Sequence, residues 1–327
     1  MAIIRSQTEE LLWIATQEDK LIPVELIYFT IKNKIRLIDL LENYESEDLN
    51  GVEEKVVKKF IKNRDSINVR KYDLIWNLTQ KDKINLISYD DIRFPKKLKE
   101  LESNHTLMLY HKGEDIEFKN CIAIVGTRNC SIHAIEFARE LSMKMAKQNY
   151  IVVAGLARGI DASSHRGAIL GRGKTVAVLP WIFNPYPSEH RQLLKEIESN
   201  GCMISENFRS QKTFDRYKFI ERNAIISGIS DALVAVESSI TGGTTWQVET
   251  ALKQGRMVIT IEPESENKDA YKGFEKFVDK GAIPAKTVED VLEIIKKKET
   301  HKPPKSPQPE LKTIKKDRKN KNLSEFT

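Results

Sequence analysis

From residue 121 onward, short apolar runs rich in β-branched residues alternate with amphipathic stretches of helical length, and few architectures accommodate that pattern. The runs cover 121–125, 151–154, 175–179, 202–205, 232–236 and 257–261, with helical stretches near 131–148, 160–171, 188–198, 216–229 and 245–254 between them. A strand covered by helices on both faces is apolar throughout rather than in alternation, and helical crossovers make successive strands parallel. The pattern predicts an α/β fold with a doubly wound, mostly parallel sheet. In such sheets ligands bind beyond the carboxyl ends of the strands, where strand order reverses. The turns that follow each strand are therefore the segments to read for chemistry.

The rest of the chain divides by composition. Residues 1–80 carry apolar residues at helical spacing, as in Glu9-Glu10-Leu11-Leu12-Trp13-Ile14-Ala15, and predict a small helical domain. Residues 81–298 hold the sheet domain, and residues 299–327 turn to Lys, Pro and Ser, with four of the eleven prolines between Pro303 and Pro309. That last stretch predicts a disordered basic tail. It also holds the net charge. From Lys296 to the end, eleven Lys and Arg face four Asp and Glu, whereas residues 1–295 carry 42 against 43. The body is neutral, so any nucleic-acid binding by it must rest on a local site rather than a general basic field.

No run approaches a membrane span, and Glu9 and Glu10 interrupt the N-terminal apolar stretch, which excludes a secretory signal there. Cys121, Cys130 and Cys202 form no CxxC pair, and the six histidines form no HExxH. The expectation is a cytoplasmic protein with neither metal nor cofactor.

Four turns carry candidate chemistry. The first, Gly126-Thr127-Arg128-Asn129-Cys130-Ser131, pairs a glycine that allows close approach with an arginine suited to phosphate, and Ser131 is placed to cap the next helix. It is not a GxGxxG turn, so a hydride cofactor is not indicated. The second, Gly155-Leu156-Ala157-Arg158-Gly159-Ile160-Asp161, brackets an arginine with two glycines; Asp161 there is expected to orient Arg158 or accept from a sugar or base edge, and His165 to be structural. The third places Arg222 and Asn223 early in the helix near 216–229, where they can clamp a phosphate and read a neighbouring edge. In the fourth, between Glu237 and Thr245, Gly242 and Gly243 with Thr244 and flanking hydroxyls form an anion-cradling turn before a helix N-terminus.

Taken in order, these segments resemble the DprA/Smf DNA-processing family, a Rossmann-like group. The resemblance rests on Gly126-Thr127-Arg128, the run Ala154 to Asp161 with His165, Tyr186-Pro187, Phe219 with Arg222-Asn223, Val236-Glu237, and Ala251-Leu252-Lys253-Gln254-Gly255-Arg256. Phe94-Pro95 and Leu109-Tyr110-His111-Lys112-Gly113 match the family's upstream motifs, so the similarity spans roughly residues 85–265. Where the family has Pro and a second Arg around Arg222-Asn223, this chain has Ile220 and Ala224. The resemblance implies a homodimer that binds single-stranded DNA and loads a RecA-type recombinase during natural transformation. Carried over, Arg128, Arg158, Arg222 and Asn223 line the DNA groove, with Lys174 as a further member.

A second reading comes from nucleotide phosphoribohydrolases of the lonely-guy type, also Rossmann-like, whose PGGxGTxxE signature is half kept in Thr241-Gly242-Gly243-Thr244-Thr245-Trp246-Gln247-Val248-Glu249. It requires Glu249 as a carboxylate facing a ribosyl centre. Trp246 stands where that signature needs a residue that lets the backbone wrap a phosphate. With no Walker lysine, metal cluster or Ser/Cys–His pair suggested, the sequence predicts a binding protein without catalytic activity.

Overall fold

The computed structural model describes residues 5–45, 48–65, 67–101, 106–209, 216–263 and 268–300. Five helices come first: α1 (Gln7–Asp19), α2 (Val24–Asn33), α3 (Leu37–Glu42), α4 (Glu54–Arg64) and α5 (Asp73–Lys81). Then follow β1 (Asn85–Ser88), the single turn α6 (Lys96–Lys99) and β2 (Met108–Gly113). The alternating region runs β3 (Cys121–Val125), α7 (Ile132–Lys147), β4 (Ile151–Ala154), α8 (Ile160–Leu170), β5 (Thr175–Val178), α9 (Arg191–Asn200) and β6 (Gly201–Ser205). It continues with α10 (Arg216–Ile229), β7 (Ala232–Ala235), α11 (Gly243–Lys253), β8 (Met257–Ile261), α12 (Lys268–Asp279), β9 (Ile283–Ala285) and α13 (Val288–Thr300).

All nine strands form one sheet in the order β1-β2-β6-β5-β4-β3-β7-β8-β9. The strands from β6 to β9 along that order are parallel, while β2 runs antiparallel to both β1 and β6. The chain builds outward from β3 to β6 on one side, then returns to the other flank of β3 to lay down β7, β8 and β9. The reversal therefore falls at β3, between β4 and β7.

Both faces of the sheet are covered. Ile225, Ile226 and Ile229 of α10, Val248 of α11 and Phe277 of α12 pack with Val125, Val153 and Val178 in one buried cluster. Phe137 and Leu141 of α7, Ile160 and Ala168 of α8 and Val291 of α13 pack with Ile124 and Val152 in another. This two-sided burial is why β3, β4, β5 and β7 read as unbroken apolar runs. Truncating a fully buried side chain such as Ile226 costs about 2–5 kcal/mol, so the strand ends that carry the turns are rigidly framed.

The N-terminal helices do not close on a core of their own. Leu12, Ile14 and Leu26 share one cluster with Met108 and Tyr110 of β2, Ile197 of α9, Met203 of β6 and Phe208. Polar ties reinforce the contact. The Gln17 side-chain oxygen accepts from the backbone N–H of Leu107 and Met108 at 3.2 and 3.1 Å. The Glu18 carboxylate accepts from the Phe208 N–H and the Tyr110 hydroxyl, each at 2.9 Å, and its burial raises its pKa. The change expected near residue 80 falls where α5 gives way to β1, yet apolar side chains cross it continuously.

Among the described residues, three strands and three helices lie outside the sequence-predicted pattern: β1, β2 and β9, and α6, α12 and α13. β1 and β9 are short strands at the two edges of the sheet, while β2 carries a buried apolar run, Met108–Tyr110, that stands outside the alternation of strand and helix from which the pattern was read. The tail expected from residue 299 lies outside the described residues, apart from Glu299 and Thr300, which close α13. Among the described residues, no helix is long and apolar enough to cross a membrane.

Candidate nucleic-acid interface

The turns after β3, β4 and β7 converge at the strand-order reversal, and a buried carboxylate ties them. The Thr127 N–H donates to the Glu237 carbonyl at 2.8 Å. Ser131 donates to the Glu237 carboxylate through its N–H at 3.2 Å and its hydroxyl at 2.7 Å. The same hydroxyl accepts from Ala134 N–H at 3.1 Å, so Ser131 caps α7 as expected, and both its functions are intramolecular. Two glycines make room for this knot. A Cβ at Gly126 would press on Ile160 and on the Glu237 carbonyl oxygen 2.9 Å away, and one at Gly159, whose φ is +76°, would meet the Thr127 carbonyl oxygen at 2.8 Å.

Beneath the knot lies a buried ion pair. Arg222, on α10, is 6% exposed, and Asp161, in the first turn of α8, is equally buried. Their nearest charged atoms stand 4.0 Å apart. One Asp161 oxygen, Oδ2, accepts from the N–H groups of both Gly155 and Ala157, at 3.1 and 3.3 Å. The Arg222 guanidinium donates to the Val178 carbonyl at 3.3 Å, while its Nε finds no partner. It also fills the space where a Gly155 side chain would be. Burial raises the Asp161 pKa even beside the arginine, and the same burial lowers that of Arg222 to about 10, which leaves the guanidinium charged at neutral pH.

Above this pair opens a cleft of about 590 Å³. Its lining takes Gly126, Thr127, Arg128 and Asn129 from the first turn, Ala157 and Asp161 from the second, and Phe219, Ile220, Arg222 and Asn223 from α10. Ser238, Ser239, Thr241, Gly242, Gly243, Thr244, Trp246 and Gln247 complete it from the fourth turn and α11. Two guanidiniums approach the Phe219 ring, with the Arg128 and Arg222 carbons 5.8 and 5.9 Å from its centroid. Trp181 and Tyr186 contact the same ring edge-on at 5.6 and 6.3 Å. Gly242, at the N-cap of α11 with φ +127°, contributes no capping side chain, and the first-turn N–H groups of a helix have no partner within it.

Of the residues singled out in the sequence, the cleft gathers Gly126, Thr127, Arg128, Arg222, Asn223, Gly242, Gly243 and Thr244. Arg158 lines a small adjoining pocket with Arg128, Gly155, Tyr186, Phe219 and Arg222. Its partner is Glu189, not Asp161, and both side chains of that pair are exposed. Such pairs are weak, which leaves the Arg158 guanidinium exchangeable.

Several of the remaining expectations need correction. Lys174 precedes β5 and so lies at the opposite rim of the sheet, where it pairs with Glu114; it is no part of the cleft. Gly155 and Gly159 accommodate the chain's own Arg222 and first turn rather than a ligand backbone, and Ser131 is absorbed by the cap. Arg222 stands in the middle of α10 and is buried, instead of reaching outward from a helix start. His165 is internal, as expected: its Nδ1 lies 2.7 Å from the Thr175 hydroxyl, which itself donates to the Val152 carbonyl, and burial lowers its pKa to about 3. Glu249 pairs with Lys280 at 2.6 Å and is not among the cleft residues, which removes the carboxylate that the ribohydrolase reading needs. Phe219 and Gln247 were not picked out as site residues, although Gln247 follows Gly243 by four and Thr244 by three positions on α11, which places it on their face. Among the described residues, no group of three or more His, Cys, Asp or Glu could hold a metal ion.

Comparison with known proteins gives a consistent answer. Residues 85–296 match the family described as DNA recombination-mediator protein A. Protein Smf of Synechocystis is 27% identical over 278 residues, 81% of this chain and 68% of that protein. DNA processing protein DprA of Bacillus subtilis is 30% identical over 213 residues, 64% of this chain and 71% of that protein. The crystal structure of DprA from Streptococcus pneumoniae superposes with a TM-score of 0.69 at 22% identity, over 89% of this chain and 98% of that one. DNA processing protein A from Helicobacter pylori, described for its single-stranded DNA binding mode, superposes with a TM-score of 0.57 at 21% identity, over 66% of this chain and 98% of that one.

Proposed function

The chain belongs to the DNA recombination-mediator protein A family, and on that premise we propose that it binds single-stranded DNA in the cleft over β3, β4 and β7, without a catalytic step of its own. The observation that carries this reading is the contact of Phe219 with both Arg128 and Arg222. An exposed guanidinium, a fixed buried one and an aromatic ring in contact are the elements that take a phosphate and a stacked base together. The first-turn N–H groups of α11 add donors on the facing wall. A duplex hides its bases and fits such a cleft poorly, whereas a single strand can offer a base and its phosphate at once. With Glu249 engaged by Lys280 away from the cleft, binding rather than glycosidic cleavage is the chemistry supported.

The family's description, DNA recombination-mediator protein A, makes recombination the setting for this binding. The reading extends to a cytoplasmic homodimer that delivers single strands to a RecA-type recombinase, as in natural transformation. The test is fluorescence anisotropy of labelled single-stranded and duplex DNA across a salt series. Three arginines at the site release counterions from a single strand with a log–log salt slope of about −0.7 each, so a slope of about −2 or steeper is expected, with the single strand bound more tightly. Equal affinity for both forms, or affinity indifferent to salt, refutes the reading.

A further inference from the structure

The three arginines around the cleft stand differently before any strand arrives. Arg222 is buried beside Asp161, and Arg128 is exposed and in contact with the Phe219 ring. Arg158 instead is held by a carboxylate: its Nε donates to Oε1 of Glu189, and the two side chains are 61% and 47% exposed. That hold is built into the fold. Glu189 lies in the short 3-10 turn Ser188–His190, and the buried His190 donates through Nδ1 to the Leu156 carbonyl at 3.0 Å. Leu156 is itself buried, two residues before Arg158. Nearby, Tyr186 meets the Phe219 ring edge-on. The segment that carries Glu189 is thus fastened to the turn that carries Arg158, which keeps the carboxylate at the guanidinium at a high effective concentration. The hydrogen bond from Arg158 also holds the Glu189 carboxyl below its usual range, so it is charged at neutral pH.

We propose that Glu189 is a built-in competitor of the strand's phosphate at Arg158 and sets how tightly the protein holds single-stranded DNA. The inference rests on the strand-binding reading above and deepens it. Arg158 lines the pocket that adjoins the cleft and shares Arg128, Phe219 and Arg222 with it. A strand seated on those shared residues brings its neighbouring phosphate to a guanidinium whose Nε an anion already occupies. Carboxylate and phosphate are acceptors for the same fork of donors, and their charges repel, so the phosphate pairs fully only as Glu189 swings away. An exposed pair is weak enough to be displaced. The strand is therefore not shut out, and the cost appears as lost affinity.

The test is a double-mutant cycle on the full-length protein, read by fluorescence anisotropy of a labelled oligothymidylate. Glu189→Gln keeps the side chain's size and removes its charge. It is expected to bind the strand about two- to fivefold more tightly than wild type, the range that an exposed ion pair spans. Arg158→Ala is expected to weaken binding, and Arg158→Ala/Glu189→Gln to bind as Arg158→Ala does, because no guanidinium remains to be released. A carboxylate acting only through its long-range field would instead strengthen binding equally in both backgrounds, and that result overturns the proposal. So does a Glu189→Gln variant that binds as wild type does or more weakly. Either result leaves strand binding intact, whereas failure of the wild type to bind the strand overturns the strand-binding reading as well.

Discussion

Replacing Arg222 with Ala tests whether the cleft floor is held by the ion pair. The substitution removes a guanidinium that stands 4.0 Å from Asp161 and donates to the Val178 carbonyl. It leaves a buried carboxylate whose remaining support is the pair of N–H groups from Gly155 and Ala157. Breaking a buried pair from one side costs about 3–5 kcal/mol, most of it the uncompensated charge. The double variant Arg222→Ala/Asp161→Asn removes that charge. Because both N–H groups reach the same oxygen, a single amide oxygen can keep both bonds, and stability is expected to return by about 2 kcal/mol or more. The pH dependence provides an independent check. Burial already raises the Asp161 pKa, and Arg222 is the largest opposing influence, so the Ala variant raises it further. A group whose folded pKa lies above its unfolded value, about 3.9 for Asp, contributes full stability below that value and loses it as pH rises through the folded one. The deficit of the single variant is therefore smallest near pH 4 and widens toward pH 7. Urea denaturation at several pH values, compared at constant m, reads all three effects. A single variant within about 1 kcal/mol of wild type at pH 7, or a double variant no more stable than the single one, would refute the account.

Other consequences follow from the placement of individual side chains. Arg128→Ala should weaken single-strand binding about tenfold and flatten its salt slope by somewhat under one, whereas Lys174→Ala, at the opposite rim, should leave affinity within about twofold; anisotropy titrations distinguish the two. The neutral, buried His165 has a folded pKa of about 3 against an unfolded value near 6.5, so only the unfolded chain gains this proton as pH falls below about 6.5. Unfolding free energy should then decline between about pH 6.5 and 5 with a slope approaching 1.4 kcal/mol per pH unit, and His165→Gln should flatten that decline. Glu249→Ala should leave strand binding unchanged, and neither wild type nor variant should release free base from AMP or nicotinamide from NAD on chromatographic assay.

The sheet was legible because parallel strands buried on both faces cannot hide their composition: the predicted runs at 121–125, 151–154 and 257–261 coincide with β3, β4 and β8. β1 and β2 escaped because they precede the region where strands and helices alternate, although β2 carries a buried apolar run over Met108–Tyr110, and β9 because three residues give no periodicity. The position of the cleft was legible for a topological reason, since turns after parallel strands share one rim. The same rule, applied to Lys174, would have excluded it, because a residue that precedes a strand belongs to the other rim. The shared core of the N-terminal helices and the sheet was not legible, because an apolar face specifies that it must be covered but not by which surface.

The side chains of the site divide along a different line. Gly155 illustrates it. A glycine in a strand-to-helix turn beside arginines signals that some group approaches the backbone too closely for a Cβ, and in sequence that group can equally be a ligand phosphate or the protein's own guanidinium. Here it is Arg222, brought from α10 more than sixty residues later, and the space over Gly155 is filled before any ligand arrives. The consequence reaches function: with Arg222 fixed by Gly155, Asp161 and Val178, its charge is pre-oriented and loses little rotamer freedom on binding, while Arg128, exposed at the rim, must be ordered by the ligand it meets. Two arginines that look interchangeable in the sequence thus have different energetic parts, with the buried one fixing the floor and position of Phe219 and the exposed one responding to phosphate and salt.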